Sequence, residues 1–117
     1  SGINSGARVQ GITTSAVRQA LAKMQDNLET PLSLSEISVV VACSPKTLSR
    51  RFQAELGSSP GRVYRHLRLT HAHQLLENTL LSISEIGLRT GYNNPAALSR
   101  AFKARFGRPT RQLRQYS

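Results

Sequence analysis

From Thr14 the chain becomes periodic. Val17, Leu21, Met24 and Leu28 fall at i, i+4, i+7 and i+11, which on a helix draws one apolar stripe down to about Glu29. Pro31 then stops the helix, because its ring and missing N–H cannot continue the ladder. Residues 1–13 are rich in Ser, Gly and other small residues with no sustained period, and read as a flexible lead-in or linker.

Beyond Pro31 the chain repeats itself. Leu32-Ser33-Leu34-Ser35-Glu36-Ile37 returns as Leu81-Ser82-Ile83-Ser84-Glu85-Ile86, five of six positions identical, at an offset of 49. Leu48-Ser49-Arg50, Phe52 and Gly57 return as Leu98-Ser99-Arg100, Phe102 and Gly107 at an offset of 50, so the second copy carries one extra residue in its turn.

Each copy spells two helices. Ser33 with Glu36, and Ser82 with Glu85, have the spacing of a capping box, so a short helix begins there in both copies. The second helix of each pair opens at Ser44-Pro45 and Asn94-Pro95, a polar cap followed by a proline whose missing N–H is no loss in the first turn. Leu48, Phe52 and Leu56, and likewise Leu98, Phe102 and Phe106, recur every four residues as core-facing stripes. Gly57 and Gly107 stand where a left-handed C-terminal cap belongs. Propensity alone would place the β-branched run Val39-Val40-Val41 in a strand, but the capping box and the repeat place it in a helix.

Between the copies, Ser59-Pro60 opens a helix to about Leu76 with Val63, Leu67, Leu69, Ala72, Leu75 and Leu76 as its apolar residues, a rod of about 25 Å. After Gly107, Thr110 can cap a final short helix containing Leu113. The expected fold is all-α: seven helices forming two helix-turn-helix subdomains joined by a long connecting helix. A single domain would span 14–117, with the first helix-turn-helix at about 33–56, the connecting helix at about 60–76 and the second motif at about 82–106.

Charge adds direction. The 117 residues hold 16 Lys and Arg against 6 Asp and Glu, a formal net charge of +10, and 13 of the 16 cations are Arg. Such an excess attracts polyanions, and the planar guanidinium fork suits phosphate and guanine edges better than ammonium does. The charge is shared between the halves, with +1 over residues 1–34, +4 over 35–76 and +5 over 77–117. No apolar run approaches the length of a membrane span and no secretory leader pattern opens the chain, so a soluble, cytoplasmic protein with no membrane partner is expected. One cysteine excludes an internal disulfide framework and a cysteine-rich zinc site.

Two helices joined by a tight turn can read DNA, the second entering the major groove. Lys46, Ser49, Arg50 and Gln53 fall at i, i+3, i+4 and i+7, a polar stripe turned roughly 110° from the Leu48, Phe52, Leu56 stripe. In the second copy the stripe is Ala96, Ser99, Arg100 and Lys103. Arg can bond guanine O6 and N7, Ser and Gln can bond base edges or phosphates, and Ala96 or Ala97 can lie against a thymine methyl. Thr47, Arg51, Arg62, Lys103, Arg108, Arg111 and Arg114 are candidate phosphate contacts. Arg65, Arg68 and Arg105 are phosphate contacts or plain solubilising charge.

On these residues the chain resembles the AraC/XylS transcriptional regulators over about 17–114. The resemblance rests on Ser44-Pro45-Lys46-Thr47-Leu48-Ser49-Arg50-Arg51-Phe52, Arg68-Leu69-Thr70-His71-Ala72-His73-Gln74-Leu75-Leu76, Ile83-Ser84-Glu85-Ile86-Gly87-Leu88-Arg89-Thr90-Gly91-Tyr92, and Leu98-Ser99-Arg100-Ala101-Phe102-Lys103. It implies a bacterial-type DNA-binding domain of seven helices. It also implies base-reading positions at Lys46, Ser49 and Arg50 in the first motif and at Ala96, Ala97, Ser99 and Arg100 in the second. Gly107-Arg108-Pro109-Thr110 departs from the family's spacing of Gly, two residues, then Pro, so the last helix is expected to start differently. Ala96-Ala97 offers less hydrogen bonding than the polar residues often found there, which shifts specificity toward the first motif. The contexts at 24–29 and at Val63-Tyr64-Arg65 resemble the branch with an upstream domain of the DJ-1/PfpI type, an effector-sensing partner outside this chain.

The residues leave other readings open. The three histidines, His66, His71 and His73, lack the i, i+4 spacing of a helical metal pair, and no nucleophile elbow or phosphate-binding glycine loop occurs; no enzyme, metal site or cofactor is expected. Cys43 reads as a small buried filler. An RNA-binding module fits the charge but lacks interleaved aromatics for stacking unpaired bases. A protein-interaction module contacting the transcription machinery, such as RNA polymerase, is open as a second role.

Overall fold

Both capping boxes close. The Ser33 hydroxyl accepts the Glu36 N–H at 3.1 Å while Glu36 Oε1 accepts the Ser33 N–H at 2.8 Å. Ser82 and Glu85 repeat the exchange at 3.1 and 3.0 Å. Helices this short cannot stand on propensity, so the caps and tertiary packing hold them. Hydrogen bonds from Ser82 to the exposed Glu85 carboxylate, with the Arg89 charge one turn on, hold that carboxyl below its ordinary value. Because the folded-state value is the lower one, the cap contributes fully above the unfolded value and is lost as pH falls through the folded one. Acidification through that lowered folded-state value should therefore open the Ser82 amide to exchange. An NMR titration of Glu85 with its midpoint at or above the unfolded value would contradict this.

The computed structural model describes residues 14–108 and 110. Among them lie six α-helices and no strand: α1 Ser15–Asp26, α2 Leu34–Val40, α3 Pro45–Leu56, α4 Pro60–Asn78, α5 Ile83–Arg89 and α6 Pro95–Phe106. The expected seventh helix falls, apart from the helical and buried Thr110, on residues 111–117, outside the described residues, as does the lead-in 1–13. α1 ends three residues sooner than the apolar stripe predicts. Pro31 excludes helical geometry at Thr30, and Leu28 is buried from a turn rather than from a helix. α3 and α6 open on Ser44 and Asn94, whose side chains accept the Thr47 and Ala97 N–H groups, and both end on left-handed glycines, Gly57 and Gly107.

The described residues divide into two compact units, 14–26 with 32–64 and 27–31 with 65–110, so α4 contributes to both. In the first unit α1, α2 and α3 pack on one another. They bury Val17, Ala20, Met24, Ile37, Leu48 and Phe52, together with Val41 in the turn and Tyr64 from α4. The Tyr64 hydroxyl accepts the Leu32 N–H at 3.0 Å, and Glu55 Oε1 accepts the Thr14 N–H at 2.6 Å. Two expectations need correction. Leu21 is only half-buried while Ala20 takes the inner position, and Leu56 is exposed because it lies in the last turn before the Gly57 cap. Val39 and Val40 are helical but face outward.

In the second unit Leu69, Ala72 and Leu76 of α4, Ile86 of α5, and Leu98 and Phe102 of α6 form one core. Leu75, Leu81, Ile83, Tyr92, Ala101 and Phe106 pack around it. The His73 ring stacks on Phe102 at 5.8 Å and tilts against Phe106 at 5.0 Å, while its Nδ1 lies 3.2 Å from Glu77. Leu69-Ala72-Leu76 has the same i, i+3, i+7 spacing as the buried Val17-Ala20-Met24 of α1, so each unit packs a helical hairpin on the buried stripe of one scaffold helix.

The two turns differ. At the offset of 49, Ala42 corresponds to Gly91, and both are left-handed, at φ 56° and 83°. An L side chain resists this region, so Ala42→Gly should stabilise the domain by about 0.5–1 kcal/mol once the added freedom of the unfolded chain is subtracted. A thermal melt with no rise in Tm would show that the first turn carries no strain.

Candidate nucleic-acid interface

The stripe arithmetic of the sequence becomes a division of faces. On α3, Leu48 and Phe52 are 0% exposed. On the same helix Lys46, Arg50 and Gln53 are exposed and Ser49 is half-buried. On α6, Leu98 and Phe102 are 0% exposed, Ala96, Arg100 and Lys103 are exposed, and Ala97 and Ser99 are half-buried. Neither Arg50 nor Arg100 has a hydrogen bond or ion pair to another described residue, so among the described residues no acceptor takes up either guanidinium group. The half-buried serines sit at the margin of each stripe, where the helix meets its own unit.

The candidate phosphate contacts fall into three groups. Arg51, Arg62, Lys103 and Arg108 are exposed. Thr47 is half-buried, and its hydroxyl accepts from Ser44 at 2.9 Å, which leaves its own proton to donate. Arg111 and Arg114 lie outside the described residues. Arg105 is exposed but engaged: its Nε donates to His66 Nδ1 at 3.0 Å and its guanidinium lies 5.0 Å from the Phe106 ring centroid. Cys43, expected as a buried filler, is only half-buried, with its N–H donating to the Ser38 carbonyl at 3.0 Å.

Arg68 departs furthest from its expectation. Instead of facing outward as a phosphate contact or solubilising charge, it donates from Nε to the Thr90 carbonyl at 2.8 Å and from Nη2 to the Gly91 carbonyl at 2.9 Å. Its guanidinium also lies 4.3 Å from the centroid of Tyr92. The partners are 22 and 23 residues away along the chain, and no local spacing announces them. Burial pushes the Tyr92 phenol up from its ordinary value, with the Arg68 and Arg65 charges opposing, and the buried hydroxyl finds no hydrogen-bond partner among the described residues.

Two capped helical hairpins, each with a buried Leu-Phe stripe backing an outward Ser-Arg stripe, define a tandem helix-turn-helix domain. A family profile described as "Helix-turn-helix domain" matches residues 37–116. The HTH-type transcriptional regulator GbdR of Pseudomonas aeruginosa is 38% identical over 105 residues, covering 90% of this chain and 29% of that protein. The regulator GlxA of Rhizobium meliloti is 36% identical over 113 residues, covering 97% of this chain and 35% of that protein. A crystal structure of a transcriptional regulator of the AraC-type DNA-binding class from Chromobacterium violaceum superposes with a TM-score of 0.83 at 34% identity, covering 93% of this chain and 94% of the other. The chain belongs to the AraC/XylS family, as a DNA-binding domain of a transcriptional regulator. It spans about a third of the length of the curated relatives it matches, 29% of GbdR and 35% of GlxA.

Proposed function

We propose that α3 reads base edges in the major groove through Lys46, Ser49, Arg50 and Gln53. In this reading α6 does so through Ala96, Ala97, Ser99 and Arg100, at a second groove segment. Thr47, Arg51, Arg62, Lys103 and Arg108 then neutralise phosphates, with Arg111 and Arg114 in the same role. The observation that carries this reading is the exposed Arg, without a partner among the described residues, at the same register on two equivalent helices. The two stripes are unequal. α3 offers hydrogen-bonding side chains at positions where α6 has alanine, so base discrimination rests mainly on α3 and α6 adds methyl contacts and phosphate charge.

The domain serves, in this reading, as the DNA-binding part of a larger cytoplasmic regulator with no catalytic activity of its own. An upstream effector-sensing domain, of the DJ-1/PfpI type by sequence context, precedes it. RNA polymerase is the protein partner through which occupancy would change transcription. No helix among the described residues is long and apolar enough to cross a membrane.

Selection of sites from random duplexes, followed by salt titration on the selected site, tests the reading. Log K should fall by about 0.9 for each phosphate neutralised, against log salt. Binding that is flat in salt would favour a protein partner, and preference for unpaired RNA over the duplex would favour an RNA module; either overturns the assignment.

A further inference from the structure

The second motif's turn, residues 90–94 between α5 and α6, is one residue longer than the turn at 41–44 between α2 and α3. A longer turn leaves the helix after it less determined, unless something outside the turn fixes it. Here the fixing group comes from α4. The Arg68 guanidinium presents Nε and Nη2 to two consecutive carbonyls, those of Thr90 and Gly91, and lays its face 4.3 Å from the Tyr92 centroid. Its three points of contact are thus three consecutive residues, ending two before the α6 N-cap Asn94. The turn also meets the segment 28–31, since a Cβ on Gly91 would lie 2.7 Å from Pro31 Cγ and 2.9 Å from the Leu28 carbonyl oxygen. Arg68 immediately precedes the buried Leu69-Ala72-Leu76 set of α4. The residue in the same place before Val17 in α1 is Ala16, which has no such reach, so the first unit lacks this device.

The structure assigns Arg68 as a positioning residue that fixes the longer turn and thereby sets the pose of α6 on DNA, a role that rests on the proposed reading of α6. A fork is required for it. Lysine keeps the charge but is a point donor, unable to span two carbonyls and lie flat on a ring together. Charge and position therefore separate cleanly. A phosphate contact would survive Arg68→Lys and lose about one phosphate's worth of salt dependence in Arg68→Met. A positioning residue fails in both, whether or not the charge at position 68 is kept.

The test uses the whole chain and its selected duplex, with base-by-base footprinting of wild type, Arg68→Lys and Arg68→Met. Arg68→Lys should lose about tenfold in affinity, the scale of one charge-assisted hydrogen bond. Protection should fade at the base pairs that Arg100→Ala also affects and persist at those affected by Arg50→Ala. Combined with Arg100→Ala its effect should be less than additive; combined with Arg50→Ala it should be additive. Unchanged binding by Arg68→Lys, or a loss spread evenly over both half-sites, overturns the proposal and leaves the DNA reading intact. A wild-type chain that selects no duplex overturns both. If Arg68→Lys does not fold, Tyr92→Leu, which removes the stacking surface while sparing both carbonyl bonds, is read by the same footprint and decides in the same way.

Discussion

Gly91→Ala should lower the stability of the domain by about 3 kcal/mol, combining left-handed strain with the overpacking of a closed space. The position carries both costs at once: φ is 83°, and the added methyl would sit 2.7 Å from Pro31 Cγ and 2.9 Å from a backbone oxygen that cannot swing aside. Gly57 and Gly107 provide the matched controls, with φ of 73° and 75° and nothing within 4 Å of an added Cβ. Alanine at either should cost only about 1 kcal/mol, so the excess at Gly91 isolates the crowding. Thermal melts of the three variants measure it. If all three melt together, the segment 28–31 does not press on the second turn.

Arg50→Ala should leave the fold within about 0.5 kcal/mol of wild type, as exposed positions do, yet cost about 1–3 kcal/mol in binding and relax preference at one or two base pairs. The side chain is exposed and has no described partner, so its removal orphans nothing among the described residues. Arg100→Ala is the companion measurement, and its effect on base preference should be smaller because Ala96 and Ala97 share its surface. Binding assays against the selected site and its single-base variants read both. Full affinity with unchanged preference in Arg50→Ala would remove α3 from the reading role.

Local structure was legible because its signals are local. A capping box links residues three apart, a cap-proline pair links neighbours, and the change of offset between copies gives the extra turn residue from spacing alone. The outward stripes come from helical geometry once the Leu-Phe stripes are known to be inward. What stayed hidden depends on distance or on a residue that carries no signal. Arg68 meets a turn 22 residues on, and its sequence neighbourhood is that of any basic helix. Ala42 occupies a left-handed site that alanine does not advertise, although aligning it with Gly91 would have exposed it. Leu56 looks like a core residue by period and is exposed because a helix's last turn can leave the surface its earlier turns cover. The repeated i, i+3, i+7 set on α1 and α4 is hidden because its residues differ in size between copies, so only burial reveals the match.

On α3 the side chains of Lys46, Arg50 and Gln53 are exposed, while the core is held by Leu48 and Phe52 and the ends by the Ser44 side chain and the Gly57 backbone. In the proposed reading, target preference can therefore drift by single substitutions while the stability of the scaffold stays within about 0.5 kcal/mol. Evolvability of the operator is in that sense built into the helix, and a library confined to those three positions could be retargeted without re-engineering the fold.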